Sequence, residues 1–503
     1  MQNFCEDCGA PLSPGVAFCE NCGAKIAAET ASSTHLASAA KAETNAGEQG
    51  IIYTNLNLLG TQLCTDKGAL TEAINGFIAD AAARGVSYSL VDVSPRFSNA
   101  ATVAEHVAVI KAEVEKTHAK YLFILGSNTV VPSLVWQNEA CDKENDADVA
   151  SDLPYATLDT VSPFEGQKYD FEETLRVGRL PNVNLANYFA NLKAGSGSAQ
   201  EAATFAMSAE VWQNETCDIY KNISSQNVLT SPEYSKDNAA GVIPAETNTF
   251  LFNLHGSDET KYWYGQRGGS YPEAVEPCTF NGVAKPYFIA VEACYGAAYE
   301  GRTAEESILL TTLGGKCISF LGSSRIAFGT PSAPGSCADI ICCEYLKNLC
   351  GGMTAGDSLA LARKELMKDR PDAETVKTLA EFALYGDPSA KLKSSAAKKL
   401  FAPRVAEKSF PRGIRIPQPD VRNAVRCELC TVDEKIRSTV EAFVYRRYPE
   451  FEGTKAKYYR STGGAGSAYN AVFSKAMSDV PVKNILSVSI GAGGQIKNIL
   501  QSK

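Results

Sequence analysis

Two short strings in the sequence bring together residue types that can hydrolyse a peptide bond. His255-Gly256 follows the apolar run 249–252, and Ala293-Cys294 follows the apolar run 287–291. Apolar runs of this length predict buried strands, so the two strings are expected at the ends of neighbouring strands. His255 is one of four histidines in the chain, and the only one in such a position. The pattern predicts an imidazole and a thiol side by side at one edge of a sheet.

An imidazole beside a thiol supplies the groups that nucleophilic catalysis by cysteine requires. The thiolate is the nucleophile, and a nearby imidazole can activate it and later donate a proton to the leaving amine. We therefore predict Cys294 as the nucleophile and His255 as its acid–base partner. Gly256 lacks a Cβ, so its N–H is expected to face the developing oxyanion together with the N–H of Cys294. A core histidine before a turn is the alternative interpretation of His255-Gly256 taken alone.

Four cysteines near the N-terminus have the spacing of a zinc site. Cys5 and Cys8 form one Cys-x2-Cys pair, Cys19 and Cys22 form another, and ten residues separate the pairs. Tetrahedral zinc takes four thiolates, and such pairs present two at a time. Residues 1–26 are therefore predicted to be a zinc ribbon with one structural zinc ion, and a redox dithiol pair is the alternative. No cofactor is predicted for catalysis.

The bulk composition limits the classes of partner. The net charge is −9, with 45% hydrophobic and 21% charged residues, which gives no basic surface for nucleic acid or anionic membranes. No apolar run approaches the roughly 20 residues of a membrane span, and the first residues lack the pattern of a secretory signal. We predict a cytoplasmic protein whose partners are a protein or peptide substrate and a regulatory protein.

The order of the segments predicts three folded parts. Residues 27–49 are rich in Ala, Ser, Thr and Glu and predict a flexible linker. Strand and helix patterns alternate over residues 50–400, which predicts a largely parallel sheet covered by helices, with subdomains of about 50–195 and 196–400. Prolines interrupt the pattern after residue 400. Residues 421–503 then predict a small α+β module of one helix and three or four antiparallel strands.

The remaining cysteines are predicted to be free thiols. The chain has sixteen cysteines, and several outside the zinc-type cluster lie in apolar helix-like or strand-like segments. Thiols in such places behave as small buried hydrophobes in a reducing cell. Cys427-x2-Cys430 has no second pair, so it is predicted to hold free thiols rather than a metal.

Residues 50–400 resemble the gingipain-type cysteine peptidases, which are relatives of caspases, clostripain, legumain and separase. Six strings match the pattern of that family in order. They are Ser151-Asp152-Leu153-Pro154-Tyr155, Val177-Gly178-Arg179-Leu180-Pro181, His255-Gly256-Ser257-Asp258-Glu259, Val291-Glu292-Ala293-Cys294, Gly322-Ser323-Ser324-Arg325 and Gly386-Asp387-Pro388-Ser389. The resemblance implies an α/β, caspase/gingipain-like catalytic domain with two α/β subdomains and mainly parallel sheets. It also implies cysteine endopeptidase activity by a dyad of His255 and Cys294.

The resemblance implies three further site residues. Glu210 takes the place of a glutamate that contacts the catalytic histidine, with an exposed loop carboxylate as the alternative. Asp218 matches an aspartate at the base of the pocket for a P1 arginine or lysine, with a helix N-cap as the alternative. Trp263 is expected in the pocket wall or in the core.

Three functions follow from these observations. The first is a cytoplasmic cysteine endopeptidase that cleaves after Arg or Lys, with the zinc ribbon and the C-terminal module serving in docking or regulation. The second is a catalytically silent caspase-like scaffold. The third is a peptidase with a non-basic P1 preference, in which Asp218 only caps a helix. The intact set of His255, Gly256 and Cys294 favours an enzyme over a scaffold.

Overall fold

Strands and helices alternate along most of the chain in the computed structural model. The model describes residues 47–98, 101–165, 171–196, 202–368, 372–392, 414–416, 426–462 and 468–503. The predicted zinc ribbon, with its four cysteines, lies outside the described residues. The described part belongs to a single unit, Gly47–Lys503.

The strands fall into one large sheet, one medium sheet and three short pairs. They are β1 (Glu48–Thr54), β2 (Val86–Asp92), β3 (Tyr121–Leu125), β4 (Leu134–Gln137), β5 (Asp148–Ser151), β6 (Phe171–Glu173), β7 (Arg176–Leu180), β8 (Thr204–Ala209), β9 (Leu229–Ser231), β10 (Thr249–Asn253), β11 (Trp263–Tyr264), β12 (Glu273–Val275), β13 (Tyr287–Val291), β14 (Cys317–Ser323), β15 (Phe328–Gly329), β16 (Phe382–Gly386), β17 (Ile414–Ile416), β18 (Arg426–Leu429), β19 (Lys457–Thr462), β20 (Tyr469–Ala476), β21 (Lys483–Ile490) and β22 (Ile496–Ser502).

Helices connect many of these strands. They are α1 (Leu56–Leu63), α2 (Lys67–Ala83), α3 (Val103–Thr117), α4 (Leu153–Thr157), α5 (Leu185–Ser196), α6 (Gln213–Tyr220), α7 (Ala239–Val242), α8 (Ile308–Gly314), α9 (Ala338–Cys350), α10 (Ala355–Leu366), α11 (Ala373–Glu381) and α12 (Glu434–Arg447). Among the described residues, no helix has the length and apolar character to cross a membrane.

The large sheet has ten strands in the order β2-β1-β3-β7-β16-β14-β13-β10-β8-β9. Its neighbours are parallel except for β14 and β16, which run antiparallel and join the two halves. Strands such as β3, β10 and β13 are buried along their whole length, because helices cover both faces of a parallel sheet. The predicted α/β architecture, a largely parallel sheet covered by helices, is confirmed.

The register of β10 and β13 positions the predicted dyad. The two strands are parallel, and Phe252 lies opposite Val291. The polypeptide leaves the sheet just after each of these two residues, so His255 and Cys294 lie at the same edge of the sheet. The carboxyl ends of parallel strands are where α/β proteins usually bind ligands.

The C-terminal segment folds around an antiparallel sheet with helix α12. The strand order is β15-β22-β21-β20-β19-β18. A small apolar core forms between α12 and the strands, including Val440, Val444 and Phe473. The first strand of this order, β15, comes from the catalytic region, and it pairs antiparallel with β22. The sheet of the C-terminal segment therefore reaches into the catalytic region.

A disulfide joins the two regions, and one prediction about the thiols is wrong. Cys427 is bonded to Cys141, at a sequence separation of 286 residues, whereas Cys430 is free as predicted. Glu374 lies close to the same two sulfur atoms. The pairing could not be inferred from local spacing, because tertiary folding alone brings Cys141 and Cys427 together.

Candidate active site

Two backbone N–H groups at the ends of β10 and β13 converge on one oxygen atom. The N–H of Gly256 and the N–H of Cys294 both donate to the main-chain oxygen of Lys503, at 3.4 and 3.0 Å. Two converging N–H donors form the arrangement that stabilises an oxyanion in acyl transfer. The structure thus brings Gly256 and Cys294 together, as the sequence predicts.

Gly256 is needed for this close approach. A Cβ at this position would lie 1.8 Å from the carbonyl oxygen of Cys294. That distance is far below van der Waals contact, so any other residue would push the two strand ends apart. Gly256 therefore allows its own N–H and the N–H of Cys294 to lie close together.

His255 is fully buried beside these donors. Its Nε2 lies 2.8 Å from the side-chain oxygen of Gln266, and its Nδ1 has no hydrogen-bond partner among the described residues. Its ring also contacts Trp212, with the centroids 4.4 Å apart. Burial lowers the pKa of His255 from 6.5 to about 4; the Gln266 hydrogen bond opposes this shift and the Lys503 cation adds to it. The imidazole is therefore neutral at neutral pH.

The Cys294 thiol is also buried, with 4% of the residue exposed. Its Sγ donates to the carbonyl oxygen of Ala327 at 3.5 Å. Burial raises the pKa of Cys294 well above its ordinary value of 9.0. Cys294 is thus a neutral thiol and His255 a neutral imidazole beside the main chain of Lys503.

We expect His255 to titrate near pH 4, because burial disfavours its charged form. NMR of the imidazole protons across a pH series measures this, and the signal missing in His255→Gln identifies the residue. The pKa should rise in Lys503→Ala, because the neighbouring cation is gone. A midpoint near 6.5 in the wild-type protein would contradict the buried environment.

The side chain of Lys503 enters a pocket of three buried carboxylates. Its Nζ lies 3.1 Å from Asp339, 3.7 Å from Glu215 and 3.9 Å from Glu292. Asp339 lies in the first turn of α9, Glu215 lies on α6, and Glu292 follows β13. Three separate elements therefore build one acidic pocket.

The acidic groups of the pocket and the ammonium group of Lys503 shift one another's pKa values. Burial and the neighbouring Asp339 raise the pKa of Glu215 to about 8. Burial and, after it, the neighbouring Asp339 also hold the pKa of Glu292 well above its usual range. Burial opposes the charge on Lys503, but Asp339, Glu215 and Glu292 outweigh it and raise the pKa of the lysine. The pocket therefore holds Lys503 as a cation, with Asp339 as its nearest counter-ion.

The rest of the pocket wall suits a long cationic side chain. The Nζ of Lys503 lies 4.3 Å from the ring centroid of Trp212, within cation–π range, and 3.4 Å from the carbonyl oxygen of Thr330. A Cβ on Gly329 would lie 2.1 Å from Cε of Lys503 and 2.5 Å from Oδ1 of Asp339. A larger residue at position 329 would therefore displace the side chain of Lys503 or of Asp339.

The main chain of residues 501–503 lies beside β15 as an added strand would. The N–H of Lys503 donates to Ala327 at 3.0 Å, and Ser502 and Gln501 pair with Phe328 and Gly329 of β15. Peptides commonly bind proteins by adding a strand to an exposed sheet edge. The segment therefore has the backbone placement of a bound peptide beside Cys294.

The predicted orienting residue lies near the site but contacts another partner. Glu210 starts the short 3-10 turn Glu210–Trp212 after β8, and its carboxylate forms an ion pair with Arg267. The side chain that forms a hydrogen bond with His255 is that of Gln266, which precedes Arg267 in the sequence. Sequence reasoning missed Gln266, because it lies in a loop without a recognisable pattern. The role of Glu210 stays a prediction.

Asp218 and Trp263 lie apart from the ammonium group of Lys503. Asp218 pairs with Lys221 on the surface of α6, and 43% of its side chain is exposed. Glu215, one turn earlier on that helix, carries the carboxylate that approaches Lys503. Trp263 is buried in the large core.

His255 and Cys294 thus follow neighbouring strands of a mainly parallel α/β sheet. The model of peptidase family C25 matches residues 62–393, and the chain belongs to this family. The family match identifies the chain as a cysteine endopeptidase. The model of a zinc-ribbon domain matches residues 4–26. No curated protein matches the chain.

Solved structures with the same fold include two of a gingipain. One is the crystal structure of the Arg-specific cysteine proteinase gingipain R (RgpB), and the other is the complex of Porphyromonas gingivalis RgpB pro- and mature domains. Each is 12% identical, has a TM-score of 0.50, and aligns over 69% of this chain and 79% of its own. The resemblance inferred from the sequence is confirmed, and at this identity the structures support the fold alone.

Proposed function

We propose that this endopeptidase cleaves after lysine or arginine, with Cys294 as the nucleophile and His255 as the acid–base residue. The placement of Lys503 carries this proposal. Its main-chain oxygen accepts from both oxyanion donors while its Nζ lies 3.1 Å from Asp339. A residue held at both ends in this way has the placement of the P1 residue of a bound peptide.

The chemistry follows from the neighbouring groups. The sulfur of Cys294 attacks the P1 carbonyl carbon, and the N–H groups of Gly256 and Cys294 stabilise the oxyanion. A C–S bond forms as the C–N bond breaks, and the thiol proton passes through His255 to the leaving amine. Water then hydrolyses the thioester and restores the thiol. The unpartnered Nδ1 of His255 is available for these proton transfers.

The acidic pocket supports a basic P1 residue. We propose that Asp339, Glu215 and Glu292 bind the cationic side chain and that Trp212 contacts it through its ring. An ammonium or guanidinium group would be desolvated there but paired with the carboxylate of Asp339 and close to the carboxyl groups of Glu215 and Glu292, which disfavours apolar and acidic residues. Asp218 stays a candidate from the sequence.

Zinc binding is proposed on the sequence and the family model together. Cys5, Cys8, Cys19 and Cys22 all lie in the segment matched by the zinc-ribbon model, and four thiolates suit tetrahedral zinc. We expect one zinc ion per full-length chain by elemental analysis, and less when Cys5 and Cys19 are both replaced by serine.

The cytoplasmic location and the regulatory protein partner stay predictions. The disulfide between Cys141 and Cys427 is a feature more common in oxidising compartments, so it weighs against the cytoplasmic proposal. Thiol trapping of this pair in freshly lysed cells, followed by mass spectrometry, measures its redox state in the cell of origin.

A panel of fluorogenic peptides that differ only at P1 tests the proposed activity. The full chain with Lys503→Ala is used because it leaves the acidic pocket vacant, and the same chain with Cys294→Ala added is the control. Cleavage after lysine and arginine by the first protein alone is expected. Cleavage after leucine or aspartate at the same rate would contradict the pocket, and no cleavage after any residue by protein whose Cys294 reacts with iodoacetamide would contradict the activity.

A further inference from the structure

We propose that residues 496–503 form a tethered substrate mimic, which blocks this chain's own active site and must leave it before a peptide can enter. This inference rests on the proposed function, because it assumes that the same cleft accepts peptides. The segment consists of strand β22 and the adjoining Lys503. It is called the C-terminal strand below.

The C-terminal strand bridges two regions of the protein. One edge pairs with β21 of the C-terminal segment, and the other pairs with β15 beside the active site. Without β15, the C-terminal strand would be the free edge of its own sheet. Its pairing with the catalytic region is thus a docking contact, made by backbone hydrogen bonds of the kind that bind peptides.

Side chains of the strand also match the cleft. The side-chain oxygen of Gln501 accepts from Nε1 of Trp212 at 3.1 Å, and its amide nitrogen donates to Asn484 at 3.0 Å. Trp212 is the residue whose ring lies against the ammonium group of Lys503. Gln501 therefore holds in place the tryptophan that forms one wall of the acidic pocket.

Occupation of the cleft leaves no room for a second peptide. Leu500, Gln501, Ser502 and Lys503 are each at most 3% exposed. Both oxyanion donors and the edge of β15 are engaged by the same segment. Any substrate that uses these groups must first displace it.

Attachment to the rest of the protein makes the C-terminal strand an effective competitor of substrate. The C-terminal segment is held to the catalytic region at other points, including the Cys141–Cys427 disulfide and an ion pair between Lys457 and Glu144. A ligand tethered to its site by a short connection acts at a local concentration of about millimolar. The C-terminal strand therefore competes well with dilute substrate, even when its own affinity is modest.

Alkylation of Cys294 by iodoacetamide, followed by peptide mass spectrometry of the full chain, tests the inference. Lys503→Ala removes the ammonium group, and Gln501→Ala removes the contacts to Trp212 and Asn484. Lys497→Gln changes an exposed lysine of the same strand and serves as the matched control. The exposed Cys278 in each protein is the internal reference for reagent activity. Hydrolysis of a lysyl fluorogenic peptide is measured on the same samples.

Lys503→Ala should increase the rate of Cys294 alkylation about ten-fold or more, because the local competitor is weakened. Hydrolysis should rise with it, whereas Lys497→Gln should match the wild type in both. Faster alkylation without hydrolysis in any protein would support the block and contradict the proposed activity. Equal alkylation and equal hydrolysis in wild type, Lys503→Ala and Gln501→Ala would overturn the inference.

Discussion

Replacement of Gly256 by alanine is expected to lower kcat for a lysyl peptide by about 10²–10³-fold, the usual effect of losing an oxyanion donor. The physical reason is steric. The new methyl group would meet the carbonyl oxygen of Cys294 at 1.8 Å, so the two donors could no longer converge on one oxygen. The measurement is steady-state hydrolysis by the full chain in the Lys503→Ala background.

A matched glycine provides the control for this prediction. Gly282 is exposed and has no atom within 4 Å of an added Cβ, so Gly282→Ala should leave kcat unchanged. Thermal unfolding of both variants checks that the fold persists. An unchanged kcat in folded Gly256→Ala would show that its N–H is not an oxyanion donor.

Replacement of Asp339 by asparagine is expected to lower kcat/KM for a lysyl peptide by about 10²-fold, within the range for truncating one partner of a buried charge pair. Asp339 makes the shortest ion pair with Lys503, at 3.1 Å. Its Oδ2 also accepts from the backbone N–H groups of Thr330 and Ser336, and an asparagine oxygen can retain those contacts. The change therefore removes charge while it preserves the loop.

A peptide with norleucine at P1 separates charge from pocket shape, because norleucine has lysine's length without its ammonium group. Its hydrolysis should change little in Asp339→Asn, whereas that of the lysyl peptide falls. The same comparison in Asp218→Asn tests the sequence-based candidate. A larger loss of lysine preference in Asp218→Asn than in Asp339→Asn would contradict the pocket described here.

The placement of His255 and Cys294 at neighbouring strand ends could be predicted from the sequence, because its signal is local. An apolar run followed by His255-Gly256, and another followed by Ala293-Cys294, predict strand ends, and parallel strands place such ends together. The alternation of strands and helices likewise predicted the α/β fold. Each of these features is indicated by the residue pattern of a short segment, without information from distant parts of the chain.

The acidic pocket could not be predicted from the sequence in the same way. Asp339, Glu215 and Glu292 come from three distant segments, and none has a sequence context that indicates a ligand. The polar C-terminal strand shows no regular alternation, so its pairing with β15 had no local signal. The bond between Cys141 and Cys427 depends on the same long-range folding.

The most direct test of the central claim appends a short reporter peptide after Lys503 of the full chain. The oxygen of Lys503 already accepts from Gly256 and Cys294, so the new bond would lie at the nucleophile. Intact-mass spectrometry should show that the wild-type protein loses the reporter by hydrolysis directly after Lys503, whereas Cys294→Ala and Lys503→Asp keep it. Retention of the reporter by the wild type, or its release by Cys294→Ala, would contradict a cysteine endopeptidase that cleaves after lysine.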